Sequence, residues 1–210
     1  MDSRGVYLAQ PLEELGWLEH GFGTRSSTDW PPPTGVATLK QIHSDTVLAA
    51  DRPGCIGEGD ALITNCPGIT LTIRTADCLP ILIADPKNRA IAAIHSGWRG
   101  TVLEIAPKTV RAMQEQFGSR PEDLVVVVGP GIGGCCFEVG PEVAEQFGLS
   151  GRTKIDLVET LRRQLGRKGG QPRQFASADL CTVCRADLFH SYRRDRESAG
   201  RMVTGIRIVN

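Results

Sequence analysis

The sequence predicts a mixed α/β (α+β) fold, a single-domain sandwich with a mixed sheet spanning residues 1–210. Three observations predict it. From Asp60 onward short apolar runs (ALIT, ITLTIRT, PILIAD, AIAAIH and LVVVVG) are separated by turn residues, and their Ile, Thr, Leu and Val content favours strands. Helical patterns are mixed among these runs without strict strand–helix alternation, which argues against a purely parallel sheet. A length of 210 residues suits one domain with a full core.

Taken in order, residues 17–25 (WLEHGFGTR) predict a short strand running into a turn. Residues 26–35 (SSTDWPPPTG) predict an extended surface loop, because three successive prolines exclude a helix. DPKN, residues 85–88, puts Asp first and Pro second, as a type I turn prefers, and predicts a hairpin between the runs on either side. That pairing brings Cys78 and His95, at the open ends of the two strands, close in space.

Thr101 and Glu104 read as a capping box for a helix in which Leu103, Ala106, Val110, Met113 and Phe117 recur at helical steps, with Gly118 as its stop. Pro107 either kinks that helix or marks its real first turn. LVVVVG reads as a fully buried strand, and PEVAEQF as a short helix. KIDLVETLRRQLG is a clearer helix with Leu157, Leu161 and Leu165 in line, and SADLCTVCRADLFHSYRRD is another. GRKGGQPRQ between them reads as a loop, and RMVTGIRIV as a closing strand.

Composition narrows the function. The 24 basic and 24 acidic residues cancel, so the chain lacks the positive field that nucleic-acid binding needs. No apolar run is long enough to span a membrane, and MDSRGVYLAQPLEEL has no signal-peptide pattern. Seven cysteines without such a signal read as reduced thiols of a cytoplasmic protein. The chain is expected to act as a monomer on small molecules, with no nucleic-acid or membrane partner.

Three segments carry residues that suit a soft metal: His43 in LKQIHSD, Cys78 in TADCLP and His95 in AAIHSGWRG. One thiolate with two imidazoles suits zinc and leaves a fourth position open. Their separation is too wide for spacing alone to identify a site, and satisfied structural histidines with an inert cysteine are the competing reading. HSGWRGT, residues 95–101, lies between a strand end and a helix start, where free amides and the fork of Arg99 suit an anion; a tight turn anchored by Trp98 is the alternative. Arg25 is a candidate second anion contact. Asp60 and Asp77 are candidate general bases or partners that orient a metal-bound histidine, or else turn residues.

Other motifs are weaker. GPGIGG, residues 129–134, formally contains the dinucleotide fingerprint, but it runs into CCFEVGPE rather than a long helix. A loop whose backbone approaches a ligand or another strand is expected instead. Cys181 and Cys184 form C-x-x-C without the surroundings of a redox or zinc motif, and read as two helix residues of which one faces the core. Adjacent Cys135 and Cys136 are expected to diverge and to be poor joint ligands. His190 and SYRRD read as a positively charged helix end.

Together LKQIHSDTV, GDALIT, TADCLPILIAD, AAIHSGWRGT, VGPGIGGCCFEVG and DLFHSYRRD…GRM resemble, in order, the signature segments of the YfiH family. Its members are also called laccase-domain proteins, polyphenol oxidase, purine nucleoside phosphorylase or peptidoglycan editing factor PgeF. The resemblance implies a sandwich like the catalytic domain of cytotoxic necrotising factor, and a zinc site of His43, Cys78 and His95. It also implies phosphorolysis of adenosine, inosine, guanosine and methylthioadenosine, with some adenosine deamination; a copper-dependent laccase label and hydrolysis of mis-made muropeptide precursors are attached to the family as well. The chain departs from the family's pattern in a shortened segment, SSTDWPPPTGVATL, from which no substrate contact is carried over.

The expected mechanism has zinc at these three residues, phosphate held by Arg99 and the turn amides, and Cys78 and His95 as catalytic residues. A copper oxidase needs a copper cluster with many histidine ligands, which four histidines cannot build, so copper and polyphenol oxidation are kept only as the lesser alternative to zinc. A cysteine hydrolase, with Cys78 as nucleophile and His95 as base, and a non-catalytic binding module are the remaining alternatives.

Overall fold

The computed structural model describes residues 1–168 and 171–209. The chain begins with a short helix, α1 (Gln10–Glu13), and β1 (Leu18–Phe22). A run of strands follows: β2 (Val36–Lys40), β3 (Val47–Ala49), β4 (Gly54–Glu58), β5 (Ala61–Thr64), β6 (Thr70–Thr75), β7 (Leu79–Asp85) and β8 (Ala90–Ser96). Then come α2 (Trp98–Val102), α3 (Ile105–Phe117), β9 (Val125–Val128), β10 (Glu138–Val139), α4 (Pro141–Ala144) and β11 (Thr153–Lys154). The chain ends with α5 (Leu157–Lys168), β12 (Gln174–Ser177), α6 (Tyr192–Asp195) and β13 (Met202–Ile208).

Among the described residues the strands form a five-stranded sheet in the order β1-β13-β6-β2-β4, a six-stranded sheet in the order β12-β9-β7-β8-β5-β3, and the small pair β10-β11. Both large sheets are mixed: β2 runs parallel to β4 and β6, while β13 is antiparallel to β1 and β6. The predicted mixed α/β sandwich is therefore what forms.

Strands β7 and β8 explain the layering. Leu82, Ala84, Ile91 and Ala93 point to the five-stranded sheet and meet Phe22, Leu71, Ile73 and Ile206 there. Ile81, Ile83, Ala92 and Ile94 point the other way, onto Ile105, Ala106, Val110 and Met113 of α3 and Leu157, Leu161 and Leu165 of α5. Strands buried on both faces need apolar residues at every position, which is why these two read as continuous runs rather than alternating ones. DPKN closes their hairpin: Asp85 Oδ1 accepts the amides of Lys87 and Asn88, and the register pairs Asp85 with Ala90 and Pro80 with His95.

Several expectations need correction. Strands β3 and β4 were not expected: each is short, partly exposed and at the edge of its sheet. Thr101 and Glu104 make no capping box: buried Thr101 donates its hydroxyl to the Gly97 carbonyl, and Glu104 at φ 60° divides α2 from α3. Leu103 is exposed at that break, and Pro107 stands in the true first turn of α3, where its missing N–H costs nothing.

The helix expected over residues 177–195 does not form beyond α6. Arg194 donates to the carbonyls of Thr182, Val183 and Phe189, so side chains meet backbone groups that a helix ladder would have used. Of the loop expected over 166–174, residues 166–168 continue α5 and Gly169 and Gly170 lie outside the described residues. The turn at 129–134 behaves as expected of a close backbone approach: a Cβ on Gly129 would fall 2.0 Å from Phe22 Cδ1, and one on Gly131 2.6 Å from Leu79 Cδ2. No helix among the described residues is long and apolar enough to cross a membrane.

Candidate active site

One end of the sandwich gathers the site. His43 follows β2, Cys78 sits in the turn from β6 to β7, and His95 is near the end of β8, one position from the start of the facing strand β7. Their ligand atoms all lie within 4.8 Å of one another, and the two imidazole rings meet edge-on with centroids 4.8 Å apart. Cys78 and His95 thus meet through the predicted hairpin. His43, at φ 60°, is brought in by a different device.

That device is Asp60. Its fully buried carboxylate accepts the amides of Ile42, His43 and Ser44 and the Ser44 hydroxyl, which wraps the loop after β2 around it. The same carboxylate lies 2.7 Å from His95 Nδ1. Burial alone would push its pKa up, but hydrogen bonds from His95 and Ser44 bring it down to about 2. An ionised carboxylate can only accept, so Nδ1 carries the proton and Nε2 is the ring nitrogen left for Cys78. Of the two roles considered for Asp60, the geometry matches the one that orients the histidine.

The cluster perturbs itself in a way that suits a cation. Burial raises the Cys78 thiol, yet hydrogen bonds and charge from His43 and His95 carry it down to about 7. Burial lowers His95, while Asp60 and Cys78 raise it to about 9. A positive ion between these groups would replace the proton that His95 otherwise retains beside the thiolate. The space is kept by Gly97, where a Cβ would stand 2.8 Å from Cys78 Sγ and 3.5 Å from His43 Cδ2. The donor set and this cradle both fit a metal ion.

Asp77, beside Cys78, has each carboxylate oxygen engaged in a hydrogen bond. Its carboxylate accepts the Thr182 hydroxyl and the Arg193 amide, both at 2.6 Å, and its carbonyl accepts Ile132 N–H at 2.7 Å. Asp77, at φ 81°, instead straps the Cys78 turn to two other loops.

The cluster opens into a cleft of about 680 Å³. Arg99 lines it, stacked over the Trp98 ring with its guanidinium 4.5 Å from the centroid. Arg25 does not line it; its guanidinium donates to the Ala186 carbonyl at 2.6 Å. Arg74, Arg193, Arg196 and Arg201 do line it, as does Tyr192, and none of them is among the residues expected at the site. The signal available was the arginine-rich SYRRD segment, which reads in the sequence as a charged helix end. Ile132, Phe137 and Leu157 supply an apolar wall.

The other two histidines are elsewhere. Buried His20 accepts the Ala9 amide on Nε2 at 2.8 Å, and the His190 amide donates to Met202 Sδ. Neither lines the cleft.

The fold and site together define the class: a mixed α/β sandwich with a cysteine between two histidines in an arginine-lined cleft. This chain belongs to the family whose model is described as multi-copper polyphenol oxidoreductase laccase, which matches residues 24–209. It is 37% identical over 192 residues to a purine nucleoside phosphorylase of Clostridium acetobutylicum, covering 87% of this chain and 80% of that one. A purine nucleoside phosphorylase of Deinococcus radiodurans is 44% identical over 176 residues, 79% of this chain and 67% of that one. Among solved structures, the Bacillus licheniformis hypothetical protein YfiH superposes with a TM-score of 0.89 at 27% identity, covering 99% of this chain and 97% of that one. The YfiH resemblance read from the motifs therefore holds.

Proposed function

We propose that this protein is a zinc-dependent purine nucleoside phosphorylase acting on adenosine, inosine, guanosine and methylthioadenosine. The observation that carries the proposal is the convergence of His43, Cys78 and His95 within 4.8 Å in an arginine-lined cleft. The names of the two relatives support the same activity. His43, Cys78 and His95 would hold the ion, which when bound supplies a Lewis acid with one position open to substrate.

The rest is the work of the chain's own residues. Arg99, Arg193, Arg196 and Arg201 bind and orient phosphate, and Ile132, Phe137 and Leu157 pack the purine against an apolar surface. Asp60 fixes the ring of His95. With phosphate and nucleoside held together, a phosphate oxygen forms a bond to the ribose anomeric carbon as the glycosidic C–N bond breaks. The bonding pair leaves with the purine, which takes up the proton that hydrogen phosphate loses, and the sugar 1-phosphate remains. Adenosine deamination is a second activity that the same donor set supports.

The alternative, a hydrolase with Cys78 as nucleophile and His95 as base, draws on the thiol's position near 7. Chelation separates the two readings, since a Cys–His pair works without metal. The test is hypoxanthine release from inosine, with and without phosphate, in protein of measured zinc content. Release that requires phosphate and is lost in Cys78→Ala together with the zinc ion of the cleft supports the proposal. If Cys78→Ala keeps the zinc content and the phosphate-dependent release of the unmodified protein, the proposal is wrong.

A further inference from the structure

A second group of soft ligands stands outside the cleft. Cys135 and Cys136, expected to diverge, and Cys181 and Cys184, expected on a helix, bring four sulfurs within 4.8 Å of one another. The adjacent pair converges because residues 133–136 form a tight turn, in which the amides of Cys136 and Phe137 both donate to the Gly133 carbonyl. The C-x-x-C lies in a turn of its own, held against the first by Gly131 N–H to Leu180 O and Thr182 N–H to Gly131 O.

The spacing distinguishes two kinds of chemistry. Cys136 Sγ and Cys135 Sγ lie 3.5 and 3.7 Å from Cys184 Sγ. A disulfide would need about 2.05 Å. Zinc–sulfur bonds of about 2.3 Å in tetrahedral geometry put ligand sulfurs about 3.8 Å apart. The Gly133 amide also donates to Cys181 Sγ at 3.3 Å, and such a bond steadies a thiolate ligand.

We propose that Cys135, Cys136, Cys181 and Cys184 form a four-thiolate site for zinc, closed and structural, separate from the three-ligand cluster in the cleft. Four sulfurs complete a tetrahedral shell, so this site has no place for substrate. Its function is to pin two loops, far apart in sequence, in a region with little regular secondary structure. The pin reaches the cleft through Thr182, inside the C-x-x-C, whose hydroxyl donates to Asp77 next to Cys78. Ile132, beside the first turn, donates its amide to the Asp77 carbonyl.

The test uses the full chain, expressed with zinc and purified under reducing conditions without chelator. Elemental analysis is expected to give two zinc ions per chain, one in Cys78→Ala and one in the double variant Cys181→Ser/Cys184→Ser. Because the double variant can fail to fold, Co²⁺ loading of Cys78→Ala provides a second reading: strong visible and thiolate charge-transfer bands are expected. Two outcomes overturn the proposal: no zinc in Cys78→Ala together with no Co²⁺ thiolate bands, or a zinc content of two in the double variant. Zinc in Cys78→Ala reports on the four thiolates alone, so failure of the phosphorylase reading leaves this result intact.

Discussion

Asp60 Oδ1 lies 2.7 Å from His95 Nδ1, and the carboxylate that makes this contact also gathers the amides of the His43 loop. One buried anion therefore positions both imidazoles of the cluster. Asp60→Asn keeps the shape but removes the charge and fixes no histidine tautomer. Loss of such a partner costs about 10- to 100-fold in metal affinity. A competition titration with a zinc chelator checks this, and an affinity equal to the unmodified protein's would refute the role given to Asp60.

Gly97 gives a sharper steric test. Its backbone, at φ −79°, accepts any residue, so alanine there acts through its methyl group alone. That methyl would stand 2.8 Å from Cys78 Sγ. Gly97→Ala is expected to lower zinc affinity by about tenfold to a hundredfold, from about 1–3 kcal/mol of crowding. The melting temperature measured in chelator should change little. Equal losses in metal-bound and metal-free protein would mean that the methyl disturbs packing in general and not the ligand set.

Arg99 stacks on Trp98 within the cleft, and hydrogen bonds to a charged group contribute about 1.5–3 kcal/mol. Arg99→Gln should raise the KM for phosphate by about tenfold or more while leaving the KM for inosine near its original value. Initial rates at varied phosphate and fixed inosine measure it. An unchanged phosphate KM would assign phosphate to Arg193, Arg196 and Arg201 without Arg99.

The legible part of the site was the part built by neighbours in sequence. Cys78 and His95 meet because two consecutive buried strands are joined by an Asp-Pro turn, and both signals are local. His43 is placed by a carboxylate beyond two intervening strands, and no spacing rule encodes that. The arginines of the C-terminal turns were missed for a related reason. Their segment matches one long helix in composition, but Arg194 donates to the carbonyls of Thr182 and Val183 and the Arg193 amide donates to Asp77, so only the single turn of α6 is helical. Cys135 and Cys136 were misjudged because adjacent side chains diverge in extended backbone, whereas here the backbone turns within them.

His20 provides a prediction independent of the metal. It lies in β1, buried, with Nε2 accepting the Ala9 amide, so a proton on Nε2 would face another N–H. Burial lowers its pKa from 6.5 to about 4. Between those values the unfolded chain binds a proton at this residue and the folded chain does not, so stability rises with pH across the window. As pH falls from 6.5 through 4, the protein should lose on the order of 3 kcal/mol from this group, with little further loss from it below. Carboxylates that are lowered by folding, such as Asp45, act in the same direction at lower pH, so wild type alone does not isolate the effect. His20→Gln retains an acceptor for Ala9 and cannot titrate. Urea unfolding from pH 7 to 4 at matched metal loading should show a shallower decline in the variant, and parallel curves would remove His20 as the cause.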